Sequence, residues 1–547
     1  MFRFLRDKFQ ISSNKLIFLA TIYFNFVLNW SFWNYIIKNV DINGFNMILF
    51  IISSMIITSG VLYIVFNILI VKYIGKPILI ILLLVSSCTN YLMFKFGVYI
   101  DKDMVRNLFQ TNTREAFDFF TLPFVLSLLI TGILPAFLLC ITKIEYKVFS
   151  KELKQRIISV LLAILLISIA GALSYKELVA FGRNNKKITR LINTSNYIYA
   201  TFRYIQAQIK TNRTFVILDK DAKLTPFEDD MPTLVVFVVG ETARAKNFSL
   251  YGYEKQTNPL LSKQDLAVFE DVSSCGTATA ISVPCIFSDK MRRKFNADEA
   301  MYTENLIDLA QQSGYDVVWL ENDDGCKGVC KRIYNESMVQ KNNPKYCDGI
   351  YCKDEVLIYD LEDRISNITK DTLIILHTMG SHGPTYYKRY PDEFKVFTPT
   401  CDTQDIQTCS KDEIINTYDN TIIYTDFIIS SAIDILKKFP NYESGLFYVS
   451  DHGESLGENN IYLHGFPYKF APEEQTQIPM FLWMSESMKK YDHIDYECLK
   501  EHSRENSYSH DNIFHSMIGL LEIKTKLYEE NLDFFAKCRT KKLMGYE

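Results

Sequence analysis

A short loop at residues 275–285 has the composition expected of a rigid loop that presents a reactive hydroxyl. It reads CGTATAISVPC, with a cysteine at each end and Thr277 and Thr279 among small or apolar residues. A metal-assisted displacement can use a protein hydroxyl as its nucleophile, and a helix N-terminus beside it favours a bound phosphate. Small neighbours would leave room for a substrate. The simpler alternative is a surface turn closed by a disulfide.

Acidic and imidazole side chains follow several apolar runs, where they could bind a metal. Glu241 comes directly after TLVVFVVG, and Asp451 and His452 come directly after GLFYVS. His382 and His464 lie in the glycine-containing loops that follow two of these runs. Carboxylate and imidazole ligands from separate strand ends suit a borderline cation such as zinc. Each residue alone has an ordinary explanation, such as a helix N-cap, but the combination favours a metal site.

The remaining histidines are interpreted as structural. His377 lies inside a strand pattern and is expected to be a packed or hydrogen-bonded core residue. His493, His502, His510 and His515 lie in a polar C-terminal stretch without matching partners, and we interpret them as surface or structural residues.

Five apolar runs predict a sheet that would bring these side chains together. Near-continuous hydrophobicity indicates strands covered on both faces, which favours parallel strands with crossover helices. In such sheets, ligands bind beyond the carboxyl ends of the strands. The soluble part is therefore predicted to be an α/β domain with a mostly parallel central sheet between helices. The runs are TLVVFVVG (233–240), YDVVWL (315–320), DTLIILHT (371–378), GLFYVSD (445–451) and QIPMFLWM (477–484).

The N-terminal third predicts a membrane domain. A helix needs about 20 apolar residues to cross a bilayer, and five runs approach or exceed that length. The first is too long for a signal-peptide core and lacks an evident cleavage site, so it is interpreted as a retained anchor. We predict a five-helix transmembrane domain over 1–176, a connector on the membrane surface over 177–230 (or a solvated linker helix) and a catalytic domain over 231–547. The runs lie near 16–37, 47–71, 77–98, 119–142 and 157–175.

Basic residues in the short loops predict the orientation. Lysine and arginine are concentrated in the N-terminal stretch and in the second and fourth gaps between runs, and loops rich in these residues stay inside. The N-terminus is therefore expected inside and everything after the fifth span outside. The net charge of −4 indicates no attraction to nucleic acid. The N-terminal basic residues are Arg3, Arg6, Lys8 and Lys15.

The cysteines agree with that orientation, since ten of the twelve fall in the outer part. An even set in an extracytoplasmic domain suggests disulfides. The spacing at 326–330 could instead be half of a metal site, although no partner histidine or CxxC accompanies it. Cys88 and Cys140 lie within predicted spans and are interpreted as apolar residues. Near neighbours suggest the pairs Cys275–Cys285, Cys326–Cys330, Cys347–Cys352 and Cys401–Cys409, which leaves Cys498–Cys538 by elimination.

Six motifs, in order, resemble those of the lipid A phosphoethanolamine transferases of Gram-negative bacteria, the group that includes the mobile colistin-resistance enzymes. The resemblance covers nearly the whole chain and implies a soluble domain of the alkaline phosphatase/sulfatase type. It also implies a monomeric, multi-pass enzyme of the bacterial inner membrane, with a cytoplasmic N-terminus and a periplasmic catalytic domain. The motifs are VVGETAR (238–244), SCGTATAISVPC (274–285), ENDDGCKGVC (321–330), HTMGSHGPTYY (377–387), TYDNTIIYTD (417–426) and SDHGESLGENNIYLHG (450–465).

Carried over by position, the resemblance implies that Thr279 is the nucleophile. It implies one zinc ion held by Glu241, Asp451, His452 and the Thr279 oxygen. Family members often have serine where this chain has Ala278, a difference expected to tune donor contacts without abolishing activity.

Four further residues receive substrate roles from the same resemblance. His382 and His464 would bind the substrate phosphate, protonate the leaving group or hold a second metal. Asp323 and Lys327 would reach the phosphoethanolamine.

The implied reaction moves phosphoethanolamine from phosphatidylethanolamine to a lipid A phosphate through a threonine-bound intermediate. The added amine would weaken the attraction of cationic peptides such as polymyxin. Alternatives are a related phosphoglycerol or phosphoethanolamine transferase acting on core oligosaccharide or protein, a phosphodiesterase or sulfatase, and an inactive membrane scaffold. A sulfatase requires cysteine or serine in a C/S-x-P-x-R context, whereas Thr279 is followed by AIS. A scaffold would be expected to lose at least one of the nucleophile and zinc-ligand positions, and all are present.

Overall fold

The chain divides into two compact units. The first comprises residues up to Val105 together with Phe120–Arg203, and the second comprises Arg106–Phe119 with everything from Tyr204 onward. Residues 106–119 therefore leave the predicted transmembrane domain and belong to the second unit, a grouping that the apolar pattern does not indicate. The computed structural model describes residues 9–40, 42, 44–111, 113–185, 188–210, 214–225 and 231–543, so Arg3, Arg6 and Lys8, which support the predicted orientation, lie outside the described residues.

The first unit contains the membrane-spanning helices that the apolar runs predict. A further span is formed only if two shorter helices, Ser13–Val27 and Trp30–Asn39, are taken together. The axes of these two helices are bent by 53° relative to each other. The described residues thus contain four clear spans, or five with the bent pair. The four clear spans are Phe45–Leu69, Gly75–Phe96, Leu122–Ile141 and Phe149–Leu173.

The bend in the first span has a local cause. Tyr23–Val27 is a π-helical turn. The Asn29 side chain donates a hydrogen bond to the Phe24 carbonyl oxygen (2.9 Å) and accepts one from the Asn193 N–H (2.6 Å). A π-turn, or a side chain that engages the helix backbone, commonly kinks a helix. The run predicted as one span therefore forms two helices.

The other elements of the first unit are short. Gln10–Ser12 pairs in parallel with Lys143–Glu145. Much of the predicted connector is helical. The remaining helices that lie in or begin in this unit are Lys102–Gln110, Tyr175–Asn184, Ile188–Leu191 and Asn193–Lys210.

The second unit is built on a seven-stranded sheet. In chain order the strands are β1 (Thr233–Gly240), β2 (Leu266–Phe269), β3 (Asp316–Glu321), β4 (Tyr334–Ser337), β5 (Thr372–His377), β6 (Glu443–Ser450) and β7 (Met480–Met484). Their spatial order in the sheet is β2-β7-β6-β1-β5-β3-β4. Neighbouring strands from β6 through β4 are parallel, as the apolar runs predict.

One strand direction differs from the prediction. β7 is antiparallel to both of its neighbours, β6 and β2, whereas its apolar run had been interpreted as parallel. The connection from β6 to β7 contains single 3₁₀ turns and one short strand pair but no crossover helix, so the chain folds back beside β6. β2 and β4 were not predicted, because each has only four residues and β4 is polar and partly exposed.

The sheet is covered on both faces, as near-continuous apolar strands require. All eight residues of β1 and all eight of β6 are buried. On one face, Val235, Phe237 and Val239 belong to an apolar cluster that includes residues of helices Leu306–Ser313 and Ile513–Leu520. The other α-helices of this unit are Thr113–Phe117, Thr279–Ile286, Ala297–Ala300, Met338–Lys341, Leu361–Ser366, Lys411–Leu436, Glu486–Tyr491 and Tyr496–Glu505. Short strand pairs join Lys223–Leu224 to Ile523–Lys524, Asp271–Ser273 to Ser507–Ser509, and Ser455–Leu456 to Tyr462–Leu463.

Five disulfides crosslink the second unit, and they join the pairs expected from the spacing. Because Cys326 and Cys330 bond to each other, the alternative of a half metal site at this position is wrong. Cys88 and Cys140 are free thiols in predicted spans. The bonds are Cys275–Cys285, Cys326–Cys330, Cys347–Cys352, Cys401–Cys409 and Cys498–Cys538.

A buried ion pair anchors residues 106–119 within the second unit. Arg106 Nη2 lies 2.8 Å from Asp298 Oδ1, with side chains only 3% and 2% exposed. We expect Arg106→Met to lower the free energy of unfolding by about 3–5 kcal/mol, because it leaves a buried carboxylate without this cation. Thermal unfolding of the detergent-solubilised chain measures the loss. The exposed Arg203→Met is the control, and a loss no larger than that control's would contradict the prediction.

Candidate active site

Two adjacent parallel strands place the main acidic residues side by side. β1 ends at Gly240 and β6 ends at Ser450, and these two residues are in register. Glu241 and Asp451 follow directly, and the Asp451 N–H donates to the Gly240 carbonyl oxygen (2.8 Å). The carboxyl ends of both strands therefore meet at one edge of the sheet, where the sequence predicted a metal site.

Thr279 begins the helix Thr279–Ile286 and faces these carboxylates. Its Oγ1 lies 3.2 and 3.3 Å from the two Glu241 carboxylate oxygens and 3.4 Å from His452 Nε2. A Cβ at Gly276 would lie only 2.8 Å from Ile281 Cγ2, so the tight entry to this helix requires glycine.

The loop that carries Thr279 is held from both sides. The disulfide Cys275–Cys285 closes it. The Thr277 hydroxyl donates to the Phe466 carbonyl oxygen (2.6 Å), and the Gly465 N–H donates to the Thr277 carbonyl oxygen (2.6 Å). These bonds limit the movement of the loop and so of the Thr279 hydroxyl, as expected of a loop that holds a nucleophile.

The donor set beside Thr279 fits a divalent metal. Ligand atoms of Glu241, Asp451 and His452 lie within 4.8 Å of one another, and all three residues are fully buried. Asp451 Oδ1 accepts the N–H groups of Thr242 (3.1 Å) and His452 (2.7 Å), whereas Oδ2 has no hydrogen-bond partner among the described residues. A buried carboxylate oxygen without a partner is costly unless a cation binds it.

Burial shifts the pKa values in this cluster and leaves the imidazole of His452 neutral, as a metal ligand must be. Burial, with the Asp451 and Asp323 carboxylates nearby, raises the pKa of Glu241, and burial raises the pKa of Asp451 to about 6. Burial, with His464 close by, lowers the pKa of His452 well below its ordinary range. Its Nδ1 lies 3.0 Å from the Gly453 carbonyl oxygen and can donate to it, which leaves Nε2 as a neutral ligand.

Beside Thr279 lies a small polar pocket that brings together the four predicted substrate residues. The His382 and His464 rings are 5.4 Å apart, and His464 Nδ1 lies 2.9 Å from Glu454 Oε2. The pocket is lined by Thr279, Ala280, Asp323, Asp324, Lys327, His382 and His464, together with Asn107, Gln110, Thr111 and Glu115.

The pocket wall formed by Asn107, Gln110, Thr111 and Glu115 was not predicted. Glu115 Oε1 lies 3.3 Å from His382 Nε2. Although burial opposes charge on both groups, their proximity lowers the pKa of Glu115 to about 2 and raises the pKa of His382 to about 9. Glu115 and Asp118 are acidic residues in the third gap between apolar runs, and nothing in the sequence of that gap indicates a pocket.

Comparison with known proteins identifies the family. The phosphoethanolamine transferase EptA/EptB model matches residues 58–209, and the sulfatase model matches residues 233–523. Phosphoethanolamine transferase EptA of Escherichia coli K12 is 39% identical over 527 residues, covering 95% of this chain and 96% of that protein. This chain belongs to the phosphoethanolamine transferase family.

A solved structure and a further relative agree with this membership. The solved structure of the integral membrane lipooligosaccharide phosphoethanolamine transferase A of Neisseria meningitidis is 37% identical in sequence and superposes with a TM-score of 0.95. The alignment covers 97% of this chain and 100% of that one. Phosphatidylethanolamine transferase Mcr-1 of Escherichia coli is 36% identical over 425 residues, covering 75% of this chain and 79% of that protein. The expected fold, a helical membrane domain followed by a sulfatase-type α/β domain, is confirmed.

Asp118 ties the unpredicted wall of this transferase to the His382 loop. It accepts hydrogen bonds from the Tyr351 hydroxyl (2.8 Å) and the Thr385 hydroxyl (2.8 Å) and lies 3.5 Å from Arg389 Nη2. Arg389 Nε in turn donates to the His382 carbonyl oxygen (2.7 Å). This chain of contacts sets the distance between Glu115 and His382.

His510 links the Thr279 loop to the end of β6, directly before Asp451 and His452, a role that the polar C-terminal stretch did not indicate. It is 1% exposed; its Nδ1 accepts the Cys275 N–H (3.0 Å), and its Nε2 lies 3.0 Å from the Ser450 carbonyl oxygen. The interpretation of His510 as a surface residue is therefore wrong, and the structural interpretation holds. His515 is also buried, and His493 and His502 are half-buried.

Acid should destabilise the fold through His510. Burial lowers the pKa of this imidazole from the ordinary 6.5 to about 4. Between those values the unfolded chain binds a proton that the folded chain excludes, so stability is full above pH 6.5 and falls as the pH drops towards 4, by about 3 kcal/mol in total. The free energy of unfolding, measured at several pH values across this range, should change less for His510→Gln than for the unmodified chain. An equal pH dependence in the two proteins would contradict the assignment.

The remaining predicted residues lie next to the candidate metal site. His377 is fully buried at the end of β5, and its Nδ1 lies 2.9 Å from Glu321 Oε2, in agreement with a hydrogen-bonded core residue. Asp323 is buried, and its N–H donates to Glu321 Oε1 (2.8 Å). Lys327 Nζ donates to the Asp324 carbonyl oxygen (2.8 Å) at the side of the pocket.

Proposed function

We propose that this chain transfers phosphoethanolamine from phosphatidylethanolamine to a phosphate group of lipid A through an intermediate on Thr279. The observation that carries the proposal is the Thr279 hydroxyl, held 3.2–3.4 Å from Glu241 and His452 beside a buried metal-type donor set. Family membership supports the transferred group. The relative named a lipooligosaccharide phosphoethanolamine transferase supports an acceptor of this class.

Zinc is the proposed cofactor, and Glu241, Asp451, His452 and the Thr279 oxygen would hold it. When bound, it would lower the pKa of the hydroxyl and offset charge on the phosphoryl oxygens. The unpartnered Asp451 Oδ2 and the neutral His452 Nε2 support this donor set.

In the first step, Thr279 Oγ1 forms a bond to the phosphorus of phosphatidylethanolamine. The bond from phosphorus to the glycerol oxygen breaks, and diacylglycerol leaves with a proton. His464 is suited to exchange this proton, because Glu454 orients its Nδ1 and leaves Nε2 available. Lys327 and a charged His382 would bind the phosphoryl oxygens.

In the second step, a phosphate oxygen of the acceptor attacks the same phosphorus, and the Thr279 oxygen leaves and takes up the proton that the acceptor phosphate loses. The added ethanolamine ammonium would offset phosphate charge and weaken binding of cationic peptides such as polymyxin. Because donor and acceptor are both lipids, a membrane-anchored catalytic unit suits the reaction. We place the N-terminus in the cytoplasm and the catalytic unit in the periplasm, on the basis of the lysine and arginine distribution and the five disulfides.

The direct test is a mass spectrum of lipid A from a Gram-negative host that lacks its own enzymes of this class and expresses this chain. A phosphoethanolamine adduct absent from the empty-vector host is the expected result. An adduct on released core oligosaccharide or on protein would move the acceptor there while retaining the transfer chemistry. Diacylglycerol release without any adduct would show hydrolysis instead.

Glu115 is expected to recognise the ammonium group of the donor. The pocket combines this carboxylate with Lys327 and His382, which matches the opposite charges of phosphoethanolamine. Glu115→Gln should raise KM for phosphatidylethanolamine about 10- to 100-fold, since a charged hydrogen bond contributes about 1.5–3 kcal/mol. Initial rates with a labelled donor measure this change.

A phospholipid donor whose headgroup lacks an ammonium group is the control for that prediction. The unmodified chain and Glu115→Gln should use such a donor with the same KM. An equal rise in KM for both donors would show that Glu115 acts through His382 rather than on the ammonium.

A further inference from the structure

A second group of ligands lies next to the proposed zinc site. Ligand atoms of Glu241, Asp323 and His377 lie within 4.8 Å of one another, and all three residues are buried. His377 ends β5 and Asp323 follows the adjacent β3, so neighbouring parallel strands bring them to the same edge as Glu241. Two carboxylates and one imidazole form a set that binds zinc or manganese.

The His377 ring has a defined orientation. The Glu321 carboxylate accepts hydrogen bonds from Trp319 Nε1 (2.8 Å) and from the Asp323 N–H (2.8 Å), and it lies 2.9 Å from His377 Nδ1. Since an ionised carboxylate only accepts, His377 Nδ1 must carry the proton. The second ring nitrogen, Nε2, is therefore the one that points towards the cluster.

The surroundings of His377 Nε2 require a positive species. This atom is fully buried and has no hydrogen-bond partner among the described residues. Its lone pair would meet the Asp323 carboxylate, whose Oδ2 lies 3.9 Å away. A proton on Nε2 would not form a hydrogen bond over that distance and would remain unsatisfied. Two ligands that each lie about 2 Å from a metal are at most about 4 Å apart, and the observed separation lies within that limit.

We propose that Asp323, His377 and a shared Glu241 form a second divalent-cation site beside the zinc site of the proposed function. Carboxylates commonly bridge paired metals about 3.5–4 Å apart in phosphoryl-transfer enzymes. The proposal rests on the proposed function only in that Glu241 also serves the first cation. Of the two alternative holders of a second metal, His382 already faces the Glu115 carboxylate through its Nε2 (3.3 Å), whereas His377 Nε2 faces no carboxylate within hydrogen-bond distance.

Metal counting on the full-length protein in detergent tests the site. The protein is stripped with a chelator, reloaded with Zn²⁺, passed through gel filtration and analysed by inductively coupled plasma mass spectrometry. The unmodified chain should retain about two zinc ions per chain, and His377→Gln about one. The control His382→Gln should retain two. One ion in the unmodified chain, or an equal count in His377→Gln, would overturn the proposal.

A second variant separates loss of the site from loss of the fold. Asp323→Asn keeps the size of the side chain and should also retain about one zinc ion, with a thermal midpoint close to that of the apo unmodified protein. Two retained ions in this variant would overturn the proposal. The count needs no lipid, so two bound ions in a chain that fails to modify lipid A would refute the proposed function alone, and one bound ion in an active chain would refute the second site alone.

Discussion

Thr279→Ala should reduce phosphoethanolamine transfer by more than about 10⁴-fold, the scale expected when a covalent nucleophile is removed. Without the hydroxyl, the phosphorus-oxygen bond of the intermediate cannot form. The surrounding geometry should survive, because Cys275–Cys285 and the Thr277 hydrogen bonds hold the loop independently of residue 279. Labelled phosphatidylethanolamine with purified lipid A measures the rate, and intact-protein mass spectrometry measures the covalent adduct.

Thr279→Ser is the matched control, since it restores the oxygen and lacks only the methyl group. It should form the adduct and retain measurable transfer, while Thr279→Ala should form none. Zinc content should fall little in either variant, because Glu241, Asp451 and His452 remain. Transfer by Thr279→Ala within tenfold of the unmodified chain would refute the nucleophile assignment.

Asp451→Asn should lower both zinc affinity and transfer by about 10³-fold or more, comparable to about 4 kcal/mol. The substitution retains an oxygen that can accept the Thr242 and His452 N–H groups. It replaces the unpartnered Oδ2 with an NH₂ group, which cannot ligate a cation. The shape of the site is thus preserved while one charged ligand is lost. Competition with a chelator of known affinity measures the change.

Asp354→Asn is the control for that experiment. Asp354 is a buried aspartate of the same unit, but both of its oxygens accept hydrogen bonds, from Asn322 and from the N–H groups of Met379 and Gly380. It should leave zinc affinity nearly unchanged even if it lowers stability. Equal losses of affinity in the two variants would show that packing, not ligation, controls metal binding.

Several features of this transferase follow from local sequence. Membrane spans and buried strands are visible because each is one apolar run, with its own length and period. Glu241 and Asp451 were predicted to meet because parallel strands end at the same edge of a sheet. The loop with Thr277 and Thr279 was singled out because small residues and two cysteines surround them within eleven positions, and the family resemblance then pointed to Thr279. The disulfide pairs were accessible for the same reason, since four of them close loops of ten residues or fewer.

Features that depend on distant contacts appeared only in the tertiary structure. Asp118 meets Thr385 across 267 positions, and His510 meets Cys275 across 235, and no spacing rule connects residues so far apart. The reversal of β7 depends on the path of a loop, and the bend in the first span depends on Asn193 meeting Asn29. The sequence by itself thus determined the elements and the chemistry at their ends. Only the tertiary structure showed that Asn107, Gln110, Thr111 and Glu115 line the pocket beside Thr279 and that His377 Nε2 faces Asp323. Burial and hydrogen-bond partners depend on pairs of residues that only the fold brings together.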